Sequence, residues 1–364
     1  MIVKDVLSLL NDFSPLFYSE DFDNTGLLVG DPTNAVKGIL VTLDTLESVI
    51  DEAISKNCNV VVSFHPIIFS GLKKIIGRSY VERVVAKAIK NDINIIAVHT
   101  ALDNSFQGVN AKICEKLGLV NRAVLIPKEQ TVKKLVTYAP QKECQSILEA
   151  LFKAGAGAIG NYDECGFVVQ GIGSYRGNES ANPVIGEKGV RHQGPEEQIH
   201  VTFQSHLENQ VVAALFNTHP YEEVAYGITT LENTNQHLGM GMIGTLENEM
   251  NETDFLLFLK QSMNTQCIRH SSLLNKKIKK VAVLGGSGSF AIKAAIGKGA
   301  DVFITADLKY HDFYTAENEI LLADIGHYES EQYTKELLHA HLTKKISNFA
   351  IVLSEINTNP ISYF

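Results

Sequence analysis

Short apolar runs alternate with amphipathic segments along the first third of the chain. Residues 38–43, 59–64 and 93–98 are rich in branched side chains and are bounded by polar residues, as strands buried on both faces are. Between them, residues 45–56 and 78–90 have helical periodicity. Strands that alternate with helices of this length predict βαβ units, and therefore a mostly parallel sheet covered by helices.

The same pattern returns near residue 280. Strands at 281–284 and 301–305 flank a glycine-rich turn, and one long helix at about 328–345 precedes a last strand. The two ends of the chain therefore look like halves of one discontinuous α/β core domain, which we place at residues 1–128 and 237–364.

The middle of the chain has a different order of elements. Residues 134–230 predict β-α-β-β-α-β, the split βαβ or ferredoxin-like arrangement. The long polar stretch at 173–197 is interpreted as a hairpin extension rather than a linker. We therefore expect an inserted α+β domain at 129–236.

Composition excludes several classes of protein. Apolar residues make up 45% of the 364 residues, and no apolar run approaches the roughly 20 residues of a membrane span. The net charge of −9 argues against a nucleic-acid partner. Five widely spaced cysteines without a Cys-x-x-Cys motif indicate neither a disulfide framework nor a thiolate zinc site. Together with the absence of a signal-peptide pattern, this predicts a soluble cytoplasmic protein.

Three predicted strand ends carry histidine or carboxylate side chains. His65 ends one strand, His99 follows the next with Asp103 four residues on, and His327 and Glu331 lie four residues apart after a third. The last two face the same way on one helix. Because the carboxyl ends of parallel strands share one edge of a sheet, these five side chains can converge on one crevice.

Each of these residues alone has a structural explanation. A histidine can be hydrogen-bonded in the core, Asp103 can cap a turn, and Glu331 can lie on a solvated helix face. Convergence favours a bound cation, because carboxylates buried together would otherwise repel. Imidazole and carboxylate without thiolate suit zinc, manganese or iron. So many donors fit two ions better than one tetrahedral ion.

Six stretches spread over both halves of the chain match the motifs of one family. They are DFDNTGLLVG (21–30), SFHPIIF (63–69), AVHTALDN (97–104), GGSGS (285–289), ADLKYHD (306–312) and DIGHYESEQ (324–332). In them the chain resembles the Nif-three-like family of dinuclear-metal proteins, known as GTP cyclohydrolase 1 type 2 homologs. The insert is similar to the PII/CutA-like ferredoxin folds of the longer bacterial members.

The resemblance implies a ligand set and an activity. Residue by residue, the expected ligands of two divalent metal ions per subunit are His65, Asp103, His327 and Glu331, with Glu331 as the bridge. Zinc is the expected metal, and manganese and iron are the alternatives. The resemblance implies a metal-dependent hydrolase acting on a nucleotide or related anionic substrate. It also implies a toroidal homohexamer, a trimer of dimers or a similar ring, with metal sites facing an internal cavity.

Two histidines have catalytic roles by the same resemblance. His99 is expected beside the metals as an additional ligand or a base, and His311 is expected to line the same cleft. The chain departs from the family at Phe64, where a His-His pair is usual, and at Phe22, where tryptophan is usual. Losing a donor at Phe64 predicts unequal affinities for the two metals.

Other hypotheses remain open at this point. Residues 286–291 satisfy G-x-G-x-x-A after a strand, with Asp307 about 20 residues on, so a dinucleotide-binding oxidoreductase is one alternative. The turn amides could instead hold a phosphate near the metals. A non-catalytic metal-binding or regulatory hexameric assembly is another alternative, with the insert as a ligand sensor or a gate of the cavity.

The insert carries one further motif, THPYEEVAY at 218–226. His219, Glu222 and Glu223 could suggest a second metal site. No third ligand of matching spacing is evident, so strand-edge charges and oligomer contacts are the favoured interpretation.

Overall fold

Two segments that are distant in the sequence, Met1–Pro127 and His237–Phe364, form one structural unit of the computed structural model, which describes all 364 residues. The intervening Lys128–Gln236 forms a second unit, where the sequence predicts an insert at 129–236. No helix combines the length and the apolar composition needed to cross a membrane.

Fifteen strands make three sheets. In chain order they are β1 Gly26–Val29, β2 Gly38–Thr42, β3 Val60–Ser63, β4 Asn94–Ala97, β5 Val120–Pro127, β6 Val132–Pro140, β7 Gly166–Tyr175, β8 His192–Gln204, β9 Tyr226–Thr230, β10 Gly239–Asn251, β11 Arg269–His270, β12 Lys277–Ser287, β13 Val302–Ala306, β14 Leu321–Asp324 and β15 Ala350–Leu353.

Eleven α-helices and four short 3-10 turns connect the strands. The helices are α1 Val3–Phe13, α2 Glu47–Ser55, α3 Tyr80–Lys90, α4 His99–Asp103, α5 Val109–Lys116, α6 Cys144–Lys153, α7 Glu208–Thr218, α8 Glu252–Ser262, α9 Ile292–Gly297, α10 His327–Glu331 and α11 Thr334–Lys345. The 3-10 turns are Leu16–Tyr18, Ser205–Leu207, Ser289–Ala291 and Tyr310–Ala316.

The two sheets of the larger unit are parallel at their centres and antiparallel at their edges. The first has the order β1-β4-β3-β2-β15, in which only β1 is antiparallel to its neighbour. The second has the order β11-β14-β13-β12-β10-β5, with β12, β13 and β14 parallel. The α/β class is thus confirmed, whereas the expectation of mostly parallel sheets is too simple. The antiparallel strands β5, β10 and β11 escape the sequence analysis because their partners are distant in the sequence: β5 pairs with β10, and β11 pairs with β14.

Each half of the larger unit gives a strand to the sheet built mainly by the other half. β15 pairs in parallel with β2, and β5 pairs with β10. One hydrophobic core joins the two sheets, because Val62 of β3 and Ile304 of β13 belong to the same buried cluster. Burial of each such side chain stabilises the fold by about 1.5–3 kcal/mol. The two sequence segments are therefore one cooperative structure.

The long helix predicted at 328–345 is instead two helices, α10 and α11. The side-chain amide of Gln332 donates to the carbonyl oxygen of Glu329 at 3.2 Å and to that of Met263 at 2.8 Å. In a continuous helix the Glu329 carbonyl would accept from the amide of Tyr333. This competition ends α10 after little more than one turn, and α10 carries two of the predicted metal ligands.

The second unit has the predicted order of elements. Strands β6, β7, β8 and β9 form an antiparallel sheet in the order β7-β8-β6-β9, with α6 and α7 contributing to the core on one face. β7 and β8 pair from Gly166 with Val201 to Tyr175 with His192. The polar stretch interpreted as a hairpin extension is thus partly strand, and only residues 176–191 connect the two strands.

Candidate metal centre

Three of the predicted ligands converge in the larger unit. The Nε2 atoms of His65 and His327 lie 3.1 and 3.2 Å from the same oxygen of Glu331, Oε2. One ligand atom from each of the three residues falls within 4.8 Å of the others. Glu331 is nearly inaccessible, with 4% of its side chain exposed. The geometry is that of a group of donors around one point.

Local backbone structure explains this convergence. The amide of His65 donates to the carbonyl of Leu43, which links the ends of β3 and β2 and holds His65 at the edge of the sheet. Gly326 has φ of +94°, a conformation that favours glycine, and it allows α10 to begin directly after β14. The spacing of i and i+4 then brings His327 and Glu331 together on one helix face.

The Nδ1 atom of each of these two histidines is hydrogen-bonded to a carboxylate. Nδ1 of His65 lies 2.8 Å from Oδ1 of Asp44, and Nδ1 of His327 lies 2.6 Å from Oδ2 of Asp307. A carboxylate can only accept, so each Nδ1 carries the proton and donates it. Both Nε2 atoms are thereby directed at Glu331. Metal-binding histidines in proteins are usually oriented in this way.

His99 has the same kind of support but lies outside the three-residue group. Its Nδ1 is 2.8 Å from Asp23, whose second oxygen accepts from the amide and hydroxyl of Thr100. Burial would raise the pKa of Asp23, but the bonds from His99 and Thr100 lower it. The ring of His99 meets that of His65 edge-on, with centroids 5.3 Å apart. His99 is therefore a neighbour of the donor group.

Asp103 is half-buried, and its buried Oδ1 has no hydrogen-bond partner. Burial and the charge of Glu331 raise its pKa well above the ordinary range, while His65 and His327 act in the opposite direction. Its carbonyl accepts from the side chain of Asn110, whose own oxygen accepts from the amide of Gly285. Asn110 thus ties Asp103 to the glycine-rich turn beside Glu331.

The electrostatics of the group favour a cation. Burial would raise the pKa of Glu331, but the two imidazoles lower it. Burial would lower the histidine pKa values, but Glu331 and Asp44 raise that of His65 to about 10, and Asp307 and Glu331 raise that of His327 to about 11. The raised pKa values mean that both rings are protonated and that the Nε2–H of each faces Oε2 of Glu331, whereas the buried Oδ1 of Asp103 accepts no hydrogen bond. Buried carboxylate oxygens grouped with imidazole nitrogens fit divalent metal ions, which would take the place of the two Nε2 protons.

The glycine-rich turn makes room for Glu331. A Cβ at Gly286, where φ is +69°, would lie 2.4 Å from Oε1 of Glu331. The amide of Gly286 donates to Ser330, as that of Gly285 does to Asn110, so neither is free to bind a phosphate. Asp307, the acid that a dinucleotide site would use to bind the ribose, is bonded to His327 and Ser287. The dinucleotide hypothesis therefore gains no support.

His311 and Phe64 lie in different settings from the donor group. His311 is exposed on the 3-10 turn Tyr310–Ala316, and its ring contacts are with Tyr310 and Tyr314. Phe64 is fully buried, with its ring centroid 4.8 Å from that of His65 and 5.5 Å from that of His99. At this position an apolar ring packs against the two histidines.

Two supporting residues were missed in the sequence, Asp23 and Asp44. Asp44 comes two residues after β2, so the rule that singled out His65 could have found it. Asp23 lies in the DFDNTGLLVG stretch, before β1 rather than after a strand, and only the resemblance to a family drew attention to it. The short distance to His99 depends on tertiary packing that periodicity does not report.

Known proteins resemble this chain over its whole length. A Bacillus subtilis protein named GTP cyclohydrolase 1 type 2 homolog is 38% identical over 369 residues, covering 99% of this chain and 98% of the relative. A protein of the same name from Halalkalibacterium halodurans is 37% identical, with the same coverage.

Solved structures agree with the sequence relatives. A crystal structure of a Bacillus cereus protein related to NIF3 aligns with a TM-score of 0.86 and 35% identity, covering 100% of this chain and 99% of that one. A Staphylococcus aureus protein aligns with a TM-score of 0.79 and 30% identity at the same coverage. The family model described as Duf34/NIF3 (NGG1p interacting factor 3) matches residues 1–360. The predicted relationship is confirmed, and the chain belongs to the DUF34/NIF3 family.

Proposed function

We propose that the protein binds two divalent metal ions and acts as a metal-dependent hydrolase on a nucleotide or related anionic substrate. One observation carries the proposal: the buried Oε2 of Glu331 faces the Nε2 atoms of two histidines, and each of these histidines donates from Nδ1 to a further carboxylate. The name of the curated relatives, GTP cyclohydrolase 1 type 2 homolog, supports a nucleotide as substrate.

The proposed ligands are His65, Asp103, His327 and Glu331, with Glu331 shared between the ions. Zinc fits a donor set of imidazole and carboxylate, with manganese and iron as the alternatives. Bound there, such ions would supply Lewis-acid catalysis and promote the loss of a proton from water. The chain itself contributes preorganisation, because its buried carboxylates and oriented imidazoles need no rearrangement to bind.

His99 is the proposed general acid or base. Asp23 holds Nδ1 of its imidazole, which leaves Nε2 to take up or release a proton beside His65. We propose that His311, on its exposed turn, contacts a bound substrate at a point away from the metals. Its exposure and its ring contacts with Tyr310 and Tyr314 favour this role over that of a ligand.

The remaining parts of the proposal concern assembly and location. We propose that the protein is cytoplasmic and assembles as a homohexameric ring, and that its second unit is a PII/CutA-like module. The split βαβ order of its strands, β7-β8-β6-β9, supports such a module.

A second candidate function is a non-catalytic, metal-binding regulatory assembly. The observation that favours it is the second unit, which has its own hydrophobic core and its own sheet. A sensor module of this kind would regulate rather than catalyse.

Metal-reconstituted protein assayed against a panel of nucleotides, with GTP first, tests the proposal. We expect turnover that is lost in Asp103→Ala and in Glu331→Ala and kept in Glu319→Gln, which alters an exposed carboxylate elsewhere. Metal analysis accompanies the assay, because less than about one equivalent per chain would contradict a dinuclear centre. Full metal occupancy without turnover on any nucleotide would favour the regulatory function.

A further inference from the structure

The THPYEEVAY motif of the second unit does not form a metal site. His219 is buried, and both of its ring nitrogens are engaged: Nδ1 lies 3.1 Å from the amide of Tyr221 and Nε2 lies 2.9 Å from the carbonyl oxygen of Tyr138. The amide can only donate and the carbonyl can only accept, so the ring is neutral with its proton on Nε2. His219 therefore fixes the backbone of two tyrosines in place.

These two tyrosines line a cavity of about 530 Å³ together with Tyr175, a volume in the range of small-molecule sites. All three hydroxyls already have partners: that of Tyr175 donates to the carbonyl of Ile185, that of Tyr221 to Glu196, and that of Tyr138 accepts from Gln198. What the tyrosines offer a ligand is therefore their ring faces. The rings of Tyr175 and Tyr221 meet at 62° with centroids 6.1 Å apart, forming an aromatic corner.

The charged residues of the cavity are mainly acidic. Glu196, Glu222 and Glu223 line it against a single arginine, Arg176. Glu196 lies over a glycine of β7, Gly173, where a Cβ would come within 1.8 Å of its Oε2. The absence of a side chain at that position lets the carboxylate reach the tyrosines.

The hydrogen bonds keep this arrangement rigid. Burial and the neighbouring Glu196 raise the pKa of the Tyr221 hydroxyl, so it stays protonated and continues to donate to the carboxylate. The bond from Tyr175 to Ile185 ties β7 to the 176–191 connection that covers the cavity. A pocket held in its binding conformation loses less free energy to ordering when a ligand enters.

We propose that this cavity binds an organic ammonium cation. Tyrosine faces attract a cation within about 6 Å of the ring centroid, and the excess of carboxylates over arginine favours positive charge. A nucleotide is disfavoured because its phosphates would meet three carboxylates. The cavity lies wholly within the second unit, whereas the proposed metal ligands belong to the larger unit.

Choline is the probe for a direct test with the full-length chain. Saturation transfer from the protein to its N-methyl protons reports binding, and 3,3-dimethyl-1-butanol is the neutral molecule of the same shape. We expect choline to bind and the neutral analogue to bind at least about fivefold more weakly. Equal binding of choline and the neutral analogue would overturn the proposal. So would no binding of choline at roughly 20 mM, a concentration that would detect even millimolar affinity.

Variants locate the site. Tyr221→Leu removes a ring face and Glu196→Gln removes a charge, and each should weaken choline binding about five- to tenfold. Tyr221→Phe keeps the face and should stay within about twofold. Tyr162→Leu, an exposed tyrosine of the same unit outside the cavity, is the control. Thermal melts confirm folding, and wild-type affinity in both Tyr221→Leu and Glu196→Gln would refute the assignment.

Discussion

Nε2 of His65 lies 3.1 Å from Oε2 of Glu331, although the two residues come from opposite halves of the chain. If a metal is bound between them, replacing the carboxylate by an amide should remove most of the affinity, because the amide keeps the shape but loses the charge. We expect Glu331→Gln to lower affinity for Zn²⁺ by at least about a hundredfold, as is seen even for changes beyond the direct ligands.

Competition with a chromophoric chelator measures this affinity. Glu319→Gln makes the same chemical change at an exposed position and should leave it unchanged. Unaltered zinc affinity in Glu331→Gln would show that the carboxylate is not a ligand.

The orientation of His65 gives a second prediction. Asp44 accepts from Nδ1 of His65 at 2.8 Å, so Asp44→Asn should allow the ring to rotate and should weaken metal binding by about 10- to 100-fold. The weakening should affect one of the two ions more than the other, because His327 retains Asp307. A stepwise titration in which both ions weaken equally would contradict this.

The C-terminal segment reaches the same carboxylate. The hydroxyl of Thr358 donates to Oδ2 of Asp44 at 2.6 Å. This bond orients the Asp44 carboxylate, which in turn orients the ring of His65. Thr358→Val preserves the shape of the side chain and removes the hydrogen bond, so it should weaken metal binding as Asp44→Asn does. We expect a smaller loss, about three- to tenfold, which corresponds to one ordinary hydrogen bond. Thr229→Val, at an exposed strand position of the second unit, is the control.

Phe64 gives a prediction about the two metals. Because it supplies no donor where relatives are expected to have histidine, wild type should show two unequal affinities, and Phe64→His should strengthen the weaker one. The ring is fully buried beside His65 and His99, so its replacement should also lower the melting temperature. Phe64→Leu separates the effects, since it changes packing without adding a donor. Two equal, tight sites in wild type would refute the prediction.

Glu52 anchors the segment after β15 and makes stability depend on pH. Its carboxylate accepts from the hydroxyl of Ser354 at 2.6 Å and from the amide of Glu355 at 3.0 Å, beside Lys56. Burial would raise its pKa, but these partners together lower it below the ordinary 4.5. The ionised form therefore stabilises the fold above that pH, and the contribution is lost as pH falls through the lowered value.

We expect Glu52→Gln to destabilise the protein by about 1–3 kcal/mol at pH 7, and the difference from wild type to shrink at pH 4. Melting temperatures at both pH values measure it. Glu47→Gln, which breaks an exposed ion pair with Arg83, should cost no more than about 1 kcal/mol. A difference for Glu52→Gln that grows on acidification would contradict the sign.

Sequence patterns were sufficient where one local rule decides the structure. Buried strands read as apolar runs, and a donor just past such a run, as at His65, could be predicted to lie at the edge of the sheet. The patterns failed where the outcome depends on a distant partner. Nothing local distinguishes β5 from a loop until β10 pairs with it, and the division between α10 and α11 depends on Gln332 finding the carbonyl of Met263. The carboxylates behind the histidines belong to this second class, because their role is defined across the fold.

The pairing of β15 with β2 has a consequence for biosynthesis. β15 belongs to the first sheet, but it leaves the ribosome only after more than three hundred residues have been made. Helix α10, with His327 and Glu331, is made only shortly before β15. Closing so long a loop is slow, and a nascent chain holding His65 and Asp103 alone has half of the proposed ligand set. Under the proposed function, metal loading should therefore come after synthesis, once both halves of the ligand set are present.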